Sequence, residues 1–251
     1  MYIYMEPNTI GILNKFSMDI KILSIREYSV KGLLDLKRFR QLTKLYCGKN
    51  EISKIINIPG CLEILKCDCN ENIYLGNLNQ GLRVLSCKYN KIRLLDNLPN
   101  SLDSLDCSNN QISMLDLLPS NLEELICSHN QITNLDCLPN NLKKLDCAYN
   151  LIALLDNLPN VLKILYCYNN RIISLNNLPN NLIELSCDYN RIKCLDKLPG
   201  KLKKLYCACN KITNLNNLPN TLEELDCKYN SSIFTENYLV KGYPNIKKIY
   251  I

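Results

Sequence analysis

Ten cysteines share one spacing: Cys47, Cys67, Cys87, Cys107, Cys127, Cys147, Cys167, Cys187, Cys207 and Cys227 follow one another every twenty residues. A thiolate can attack an electrophile, hold zinc or join a second sulfur, and each use demands different neighbours. Structural zinc needs four ligands converging on a tetrahedron, whereas one sulfur per repeat supplies a row. The densest cluster, Cys61, Cys67 and Cys69, with Cys207 and Cys209 repeating part of it, contains no C-x-x-C ligand pair. No metal site is expected. A nucleophilic cysteine needs a base beside it. The single histidine, His129, falls two residues after Cys127, so it should leave the core where the sulfur enters it. No catalytic residue and no cofactor is expected. Disulfides are within reach, because neighbouring strands lie ~4.8 Å apart and bridged Cα atoms roughly 4.4–6.8 Å apart. Yet the chain has fifteen cysteines, an odd number, and nothing in the repeat alternates by twos as pairwise bridging requires. Packing remains, since cysteine is a small and frequently buried side chain. The ladder sulfurs are expected to be buried, reduced and unliganded.

Such a row needs a repeating scaffold. Aligned on the cysteine, the unit is L-x-x-L-x-C-x-x-N-x-I-x-x-L-x-x-L-P-x-x, clearest as LKILYCYNNRIISLNNLPNN from Leu162. A fixed period of this length is the mark of a solenoid. In L-x-x-L-x-C the fourth and sixth residues alternate with polar ones, as a half-buried strand requires. The ninth position is always asparagine: Asn50, Asn70, Asn90, Asn110, Asn130, Asn150, Asn170, Asn190, Asn210 and Asn230. Its side chain both donates and accepts, so it can satisfy backbone groups where the chain leaves the strand. Proline recurs at Pro59 and from Pro99 to Pro219, with Asn79 replacing it once in a coil that also has Asn72 for the usual isoleucine. The L-P pair favours an extended return, and twenty residues leave little room for a helix. Each coil can bury its leucines only against neighbouring coils.

From Leu42 to Asn230 these units resemble the leucine-rich repeats, most closely the short L-P-x-x-L-x-x-L class of secreted bacterial effectors. The resemblance implies a leucine-rich-repeat solenoid with a parallel β-sheet on the concave face. The convex face would carry extended, polyproline-like or short 3-10 returns, with little α-helix. It also implies a protein partner inside a host cell. Cysteine at the sixth position departs from the aliphatic residue usual there. Some of those effectors carry a ubiquitin-ligase domain after the repeats, but the segment from Ser231 is far too short for one. The expected organisation is an N-terminal cap with a degenerate first coil over 1–41, ten repeats over 42–230, and a C-terminal cap over 231–251. In the caps, Ile22-x-x-Ile25 is expected to match Leu42-x-x-Leu45. Ile246-x-x-Ile249-x-Ile251 should form a last strand with Ile251 in the cysteine slot.

Hydrophobic content of 47% suits a folded chain, and the absence of Trp, with only three Phe, makes the core aliphatic. No run of eighteen apolar residues and no basic-then-apolar leader occurs. An intracellular, thiol-reducing compartment is the expected location, by resemblance the host cytoplasm, with no membrane partner. The net charge is +6, but a nucleic-acid surface should be a continuous basic stripe. Here Asp103, Asp106, Glu123 and Glu124 are followed by Lys143, Lys144 and Lys163, then Glu184 and Asp188, Lys203 and Lys204, and Glu223, Glu224 and Asp226. Alternation of that kind suits pairing between adjacent coils. Nucleic acid binding through terminal basic patches is the less favoured alternative, and no small-molecule substrate is expected.

With the inside committed to packing, binding residues must lie on the outward positions of the strand face. Ile164, Tyr166 and Tyr168 occupy such positions in one coil, with Tyr149 before them and Ile183, Tyr189 and Tyr206 after them. Tyrosine buries much area with few rotors and keeps a polar handle. These seven are the candidate partner-binding residues of a protein-interaction module, against a structural or scaffolding role as the other reading. The eighth-position set Tyr89, Tyr149, Tyr189 and Tyr229 fits recognition and repeat-wide packing equally well.

Overall fold

The computed structural model describes residues 6–71, 73–230 and 244–251. Asn72, Lys241 and the first part of the expected C-terminal cap, 231–243, lie outside the described residues. The chain falls into two compact units, Met1–Ile126 and Cys127–Ile251.

The first unit carries α1 (Pro7–Leu13), β1 (Ile22–Ser24), β2 (Lys31–Asp35), β3 (Lys44–Tyr46), β4 (Glu51–Ile56), β5 (Ile64–Lys66), β6 (Val84–Ser86), β7 (Ser104–Asp106) and β8 (Glu124–Ile126). The second carries β9 (Lys144–Asp146), β10 (Ile164–Tyr166), β11 (Glu184–Ser186), β12 (Lys204–Tyr206), β13 (Glu224–Asp226) and β14 (Lys248–Tyr250). Each unit is a solenoid of parallel strands, one three-residue strand per regular coil. Leucine pairs with leucine down each stack, Leu65 with Leu85 and Leu105 in the first unit and Leu145 with Leu165 and Leu185 in the second. Only the third to fifth residues of the repeat form strand, because the leucine between two outward residues is what neighbouring coils can bury. In the coil from Leu162, the residues Leu162, Leu165, Cys167 and Ile172 are fully buried and Leu175 nearly so.

All ten ladder cysteines are buried and, with the other five, unbridged. The packing reading of the row holds. Burial drives the thiols upward from the ordinary range, Cys227 to about 11 and the others described further still. A protonated, enclosed thiol is a poor nucleophile.

The asparagines bond as the repeat suggested, and across coils as well as within them. Asn150 Nδ2 donates to the carbonyls of Cys147 and Ala148 in its own coil and of Cys127 in the preceding one. Its Oδ1 accepts the N–H of Ile132 at 2.9 Å. Asn170, Asn190 and Asn210 repeat the set. Proline closes the other corner: the Pro159 carbonyl accepts the N–H of Leu162 at 3.0 Å, a turn repeated at the other repeat prolines. Asn79 keeps this bond, to Leu82 at 3.2 Å. Its side-chain amide donates to the carbonyls of Gly60 and Leu62, which leaves its Oδ1 buried without a partner.

One sequence expectation needs correction. At the N-terminal end Leu23, not Ile25, pairs with Leu45, and Ile25 donates to the Tyr46 carbonyl as Cys47 does to that of Lys66. Ile25 therefore occupies the sulfur's slot, and the first coil is two residues longer than the repeat. The returns also differ between coils. In the first unit β2 and β4 pair as a separate two-stranded parallel sheet, with a register shift at Gly32, whose φ is +66°. KGLLD and EISKII lack proline and can offer consecutive N–H groups to a ladder. Later returns run through N-L-P and make sparser bonds, such as Arg171 N–H to the Ile152 carbonyl. At the other end Ile249 pairs with Leu225, and Cys227 donates to the Tyr250 carbonyl, which sets Ile251 in the slot after it.

Candidate binding surface on the strand face

The backbone at the eighth position of the repeat explains how this face is shaped. Lys49, Cys69, Tyr89, Asn109, His129, Tyr149, Asn169, Tyr189, Cys209 and Tyr229 all have φ between 51° and 55°. This left-handed conformation disfavours β-branched residues and here turns the chain out of the strand after each sulfur. The side chain at that position is directed to the surface: Tyr149, Tyr189 and Tyr229 are exposed, Tyr229 to 79%. His129 leaves the core, as its spacing from Cys127 predicts. It stacks on Tyr149 with ring centroids 4.0 Å apart, and Tyr149 meets Tyr168 edge-on at 5.4 Å.

In the second unit the outward residues enclose a groove of about 330 Å³. Tyr149, Tyr168, Tyr189, Tyr206 and Tyr229 supply its aromatic lining. Ser186 and Ala208, both buried, give it depth: the coils flanking Ser186 carry Tyr166 and Tyr206 at its position, and those flanking Ala208 carry Asp188 and Lys228. Asp188, Asp226, Lys228 and Cys209 complete the lining used below. The Asp188 carboxylate accepts from Ser186 Oγ at 2.7 Å and from the Ala208 N–H at 2.8 Å. Burial raises its pKa above the ordinary carboxylate value, and the nearby Asp226 charge adds to that. Tyr206 is pushed up to about 12 by burial and by Glu224 and Glu184. Tyr168 rises through burial and the Asp146 and Asp188 charges. These phenols stay neutral donors at physiological pH.

Of the seven candidate residues the groove gathers Tyr149, Tyr168, Tyr189 and Tyr206. Tyr166, also raised to about 12 by burial and its hydrogen bond to Glu184, lies outside it, with its hydroxyl 2.9 Å from Glu184 Oε1. Ile164 opens β10 half-buried, and Ile183 is exposed just before β11. Sequence reasoning placed Asp188 and Asp226 only in the charge alternation and left Tyr229 open between recognition and packing; all three line the groove. The signal available was the drop to serine at 186, between Tyr166 and Tyr206 in the flanking coils.

Charge alternation resolves into ion pairs between adjacent coils. Lys204 meets Glu184, Lys203 meets Glu223, and Lys247 and Lys248 meet Glu223 and Glu224. In the first unit Arg83 meets Asp103 and Lys88 meets Asp106. Exposed pairs of this kind contribute about 0–1 kcal/mol each. Among the described residues no group of three or more metal-ligating side chains occurs, and no helix is long and apolar enough to cross a membrane. The first unit has its own concavity, about 450 Å³, on the return side between Ile73, Tyr74, Arg93 and Leu95.

No protein-family model and no curated protein matches the sequence. Solved structures do. Over 92% of the chain, the functional domain of InlJ from Listeria monocytogenes, described as including a cysteine ladder, superposes with a TM-score of 0.77 and 28% identity. YopM from Yersinia enterocolitica WA-314 superposes over the same share with a TM-score of 0.72 and 26% identity. The chain has the leucine-rich-repeat fold. A third structure, YopM from Yersinia pestis, described as a leucine-rich effector protein, shares the fold at 23% identity and a TM-score of 0.72 over 92% of this chain and 74% of its own. The leucine-rich repeats here span 53% of the InlJ domain and 58% of the first YopM chain, little more than half of either.

Proposed function

We propose that this leucine-rich-repeat protein is a non-enzymatic protein-interaction module whose partner sits on the strand face of residues 127–251. Tyr149, Ile164, Tyr166, Tyr168, Ile183, Tyr189 and Tyr206 are its contact residues. The observation that carries this reading is the tyrosine-lined groove, on a face where Lys203 pairs with Glu223 and Lys204 with Glu184 across coils. Aromatic anchors around a concavity are the usual centre of a protein interface. Enclosed, protonated sulfurs support binding over catalysis. An effector-like role inside a host cell is part of the same proposal.

The scaffolding reading draws on one specific observation, the left-handed backbone shared by all ten eighth positions. On that reading Tyr149 and Tyr189 only cover a turn. Capture of partners from the native cell separates the two. Tyr166→Ala with Tyr168→Ala should abolish capture while leaving the melting temperature almost unchanged, because both side chains point away from the core. Lys143→Ala with Lys203→Ala should mainly change its salt dependence. Capture that survives the tyrosine pair and fails in the lysine pair would make recognition electrostatic.

A further inference from the structure

The groove of the second unit joins two features that together select a ligand charge. Its aromatic faces carry the negative side of the ring quadrupole, which attracts cations. Its carboxylates lie among them: the Asp188 carboxylate accepts from the Ser186 hydroxyl, the Ala208 N–H and its own backbone N–H, all neutral donors. Among the described residues that line the groove the one cation is Lys228, which sets its ammonium over the Tyr250 ring, 5.1 Å from the centroid. That contact shows a tyrosine of this face taking an ammonium, and it directs the Lys228 charge to Tyr250. The burial of Asp188 raises its pKa, so its anion bears a desolvation cost that an incoming cation would offset.

We infer that the groove between Tyr168, Tyr189 and Tyr206 receives an arginine or lysine side chain of the partner, with Asp188 as its counter-ion. This deepens the proposed function and rests on it. A groove of about 330 Å³ accommodates one long side chain and part of the flanking backbone. Ser186 and Ala208 leave the space through which the cationic head reaches Asp188. Arginine fits best, since its planar guanidinium can lie on a tyrosine face while directing donors to the carboxylate.

The test uses the full chain and two probes, acetyl-Gly-Arg-Gly-amide and its citrulline counterpart, which keeps the shape and lacks the charge. Binding is followed by the amide NMR signals of Ala208 and Cys209. The arginine peptide should shift these signals saturably at millimolar concentration, and the citrulline peptide should bind roughly tenfold more weakly or not at all. Asp188→Asn retains an acceptor for the Ala208 N–H, and its melting curve reports whether it folds. It should weaken the arginine peptide by a similar factor. Equal response to both peptides, shifts centred elsewhere, or no shift would each overturn the inference, and the peptide comparison needs no variant. If the peptides fail while Tyr166→Ala with Tyr168→Ala still abolishes partner capture, the cation falls and the interaction surface stands.

Discussion

The side-chain amide of Asn150 donates to the carbonyl of Cys127, 3.0 Å away in the preceding coil, and to that of Cys147 at 3.1 Å in its own. The cysteine and asparagine ladders are therefore one device. The sulfur fills the interior while its carbonyl, which must bend away from the strand pairing, is taken up by the asparagine of its own coil and of the next.

Replacing Asn150 should show how much this device contributes. Asn150→Leu adds apolar area but leaves the buried Ile132 N–H unpaired and removes one of the donors to each of the carbonyls of Cys127, Cys147 and Ala148. A buried polar group left unpaired costs about 1–3 kcal/mol, so the melting temperature should fall by roughly 5 °C or more. An unchanged melting curve would mean that water serves these groups.

Asn150→Asp makes the same point through pH. The carboxylate can still accept from Ile132 but would face three carbonyl oxygens with no donor. Its pKa in the folded state should lie above the unfolded value, so the folded state binds the extra proton. Stability of the variant relative to the parent should then rise as pH falls from 7 to 4. A constant difference across that range would contradict the bonding assigned to Asn150.

Thiol labelling separates the ladder from the other cysteines. Cys61 and Cys137 are exposed and Cys69, Cys194 and Cys209 partly so, whereas the ten ladder thiols are buried. A disulfide-exchange reagent should titrate at most five thiols per native chain and all fifteen after denaturation. More than five in the native protein, or fewer than fifteen in the denatured one, would count against a buried and reduced ladder.

Asp188 should betray its burial. Its folded pKa is raised, so its contribution to stability is most favourable in acid and is lost as pH rises through the folded value. Relative to the parent, Asp188→Asn should melt higher at pH 7 than it does at pH 3, where both side chains are neutral. The opposite trend would mean that a cation within the chain already holds the carboxylate.

The strand registers were legible because the coils are equal in length. A residue's neighbour in the next stack is twenty positions on, and Leu145, Leu165 and Leu185 pair accordingly. The same rule failed at Ile22, where the return is two residues longer and Leu23 takes the inward place. The groove was only partly legible. Tyr168 stands out as a departure from a polar habit, but Tyr149 and Tyr189 belong to a regular eighth-position set, and depth depends on size differences between neighbouring coils, as at Ser186. The left-handed eighth position was hidden because tyrosine, asparagine, cysteine, lysine and histidine share it without a glycine to mark it.

Hydroxyl-radical footprinting of the protein with and without its captured partner tests the central claim most directly, since it reports side-chain burial residue by residue. The account predicts that oxidation of Tyr149, Tyr168, Tyr189 and Tyr206 falls in the complex. Leu94, Met114 and Leu117, exposed on the return segments, should react as before. Protection of Leu94, Met114 and Leu117 with the tyrosines unchanged would place the partner on the returns and contradict the assignment of the strand face.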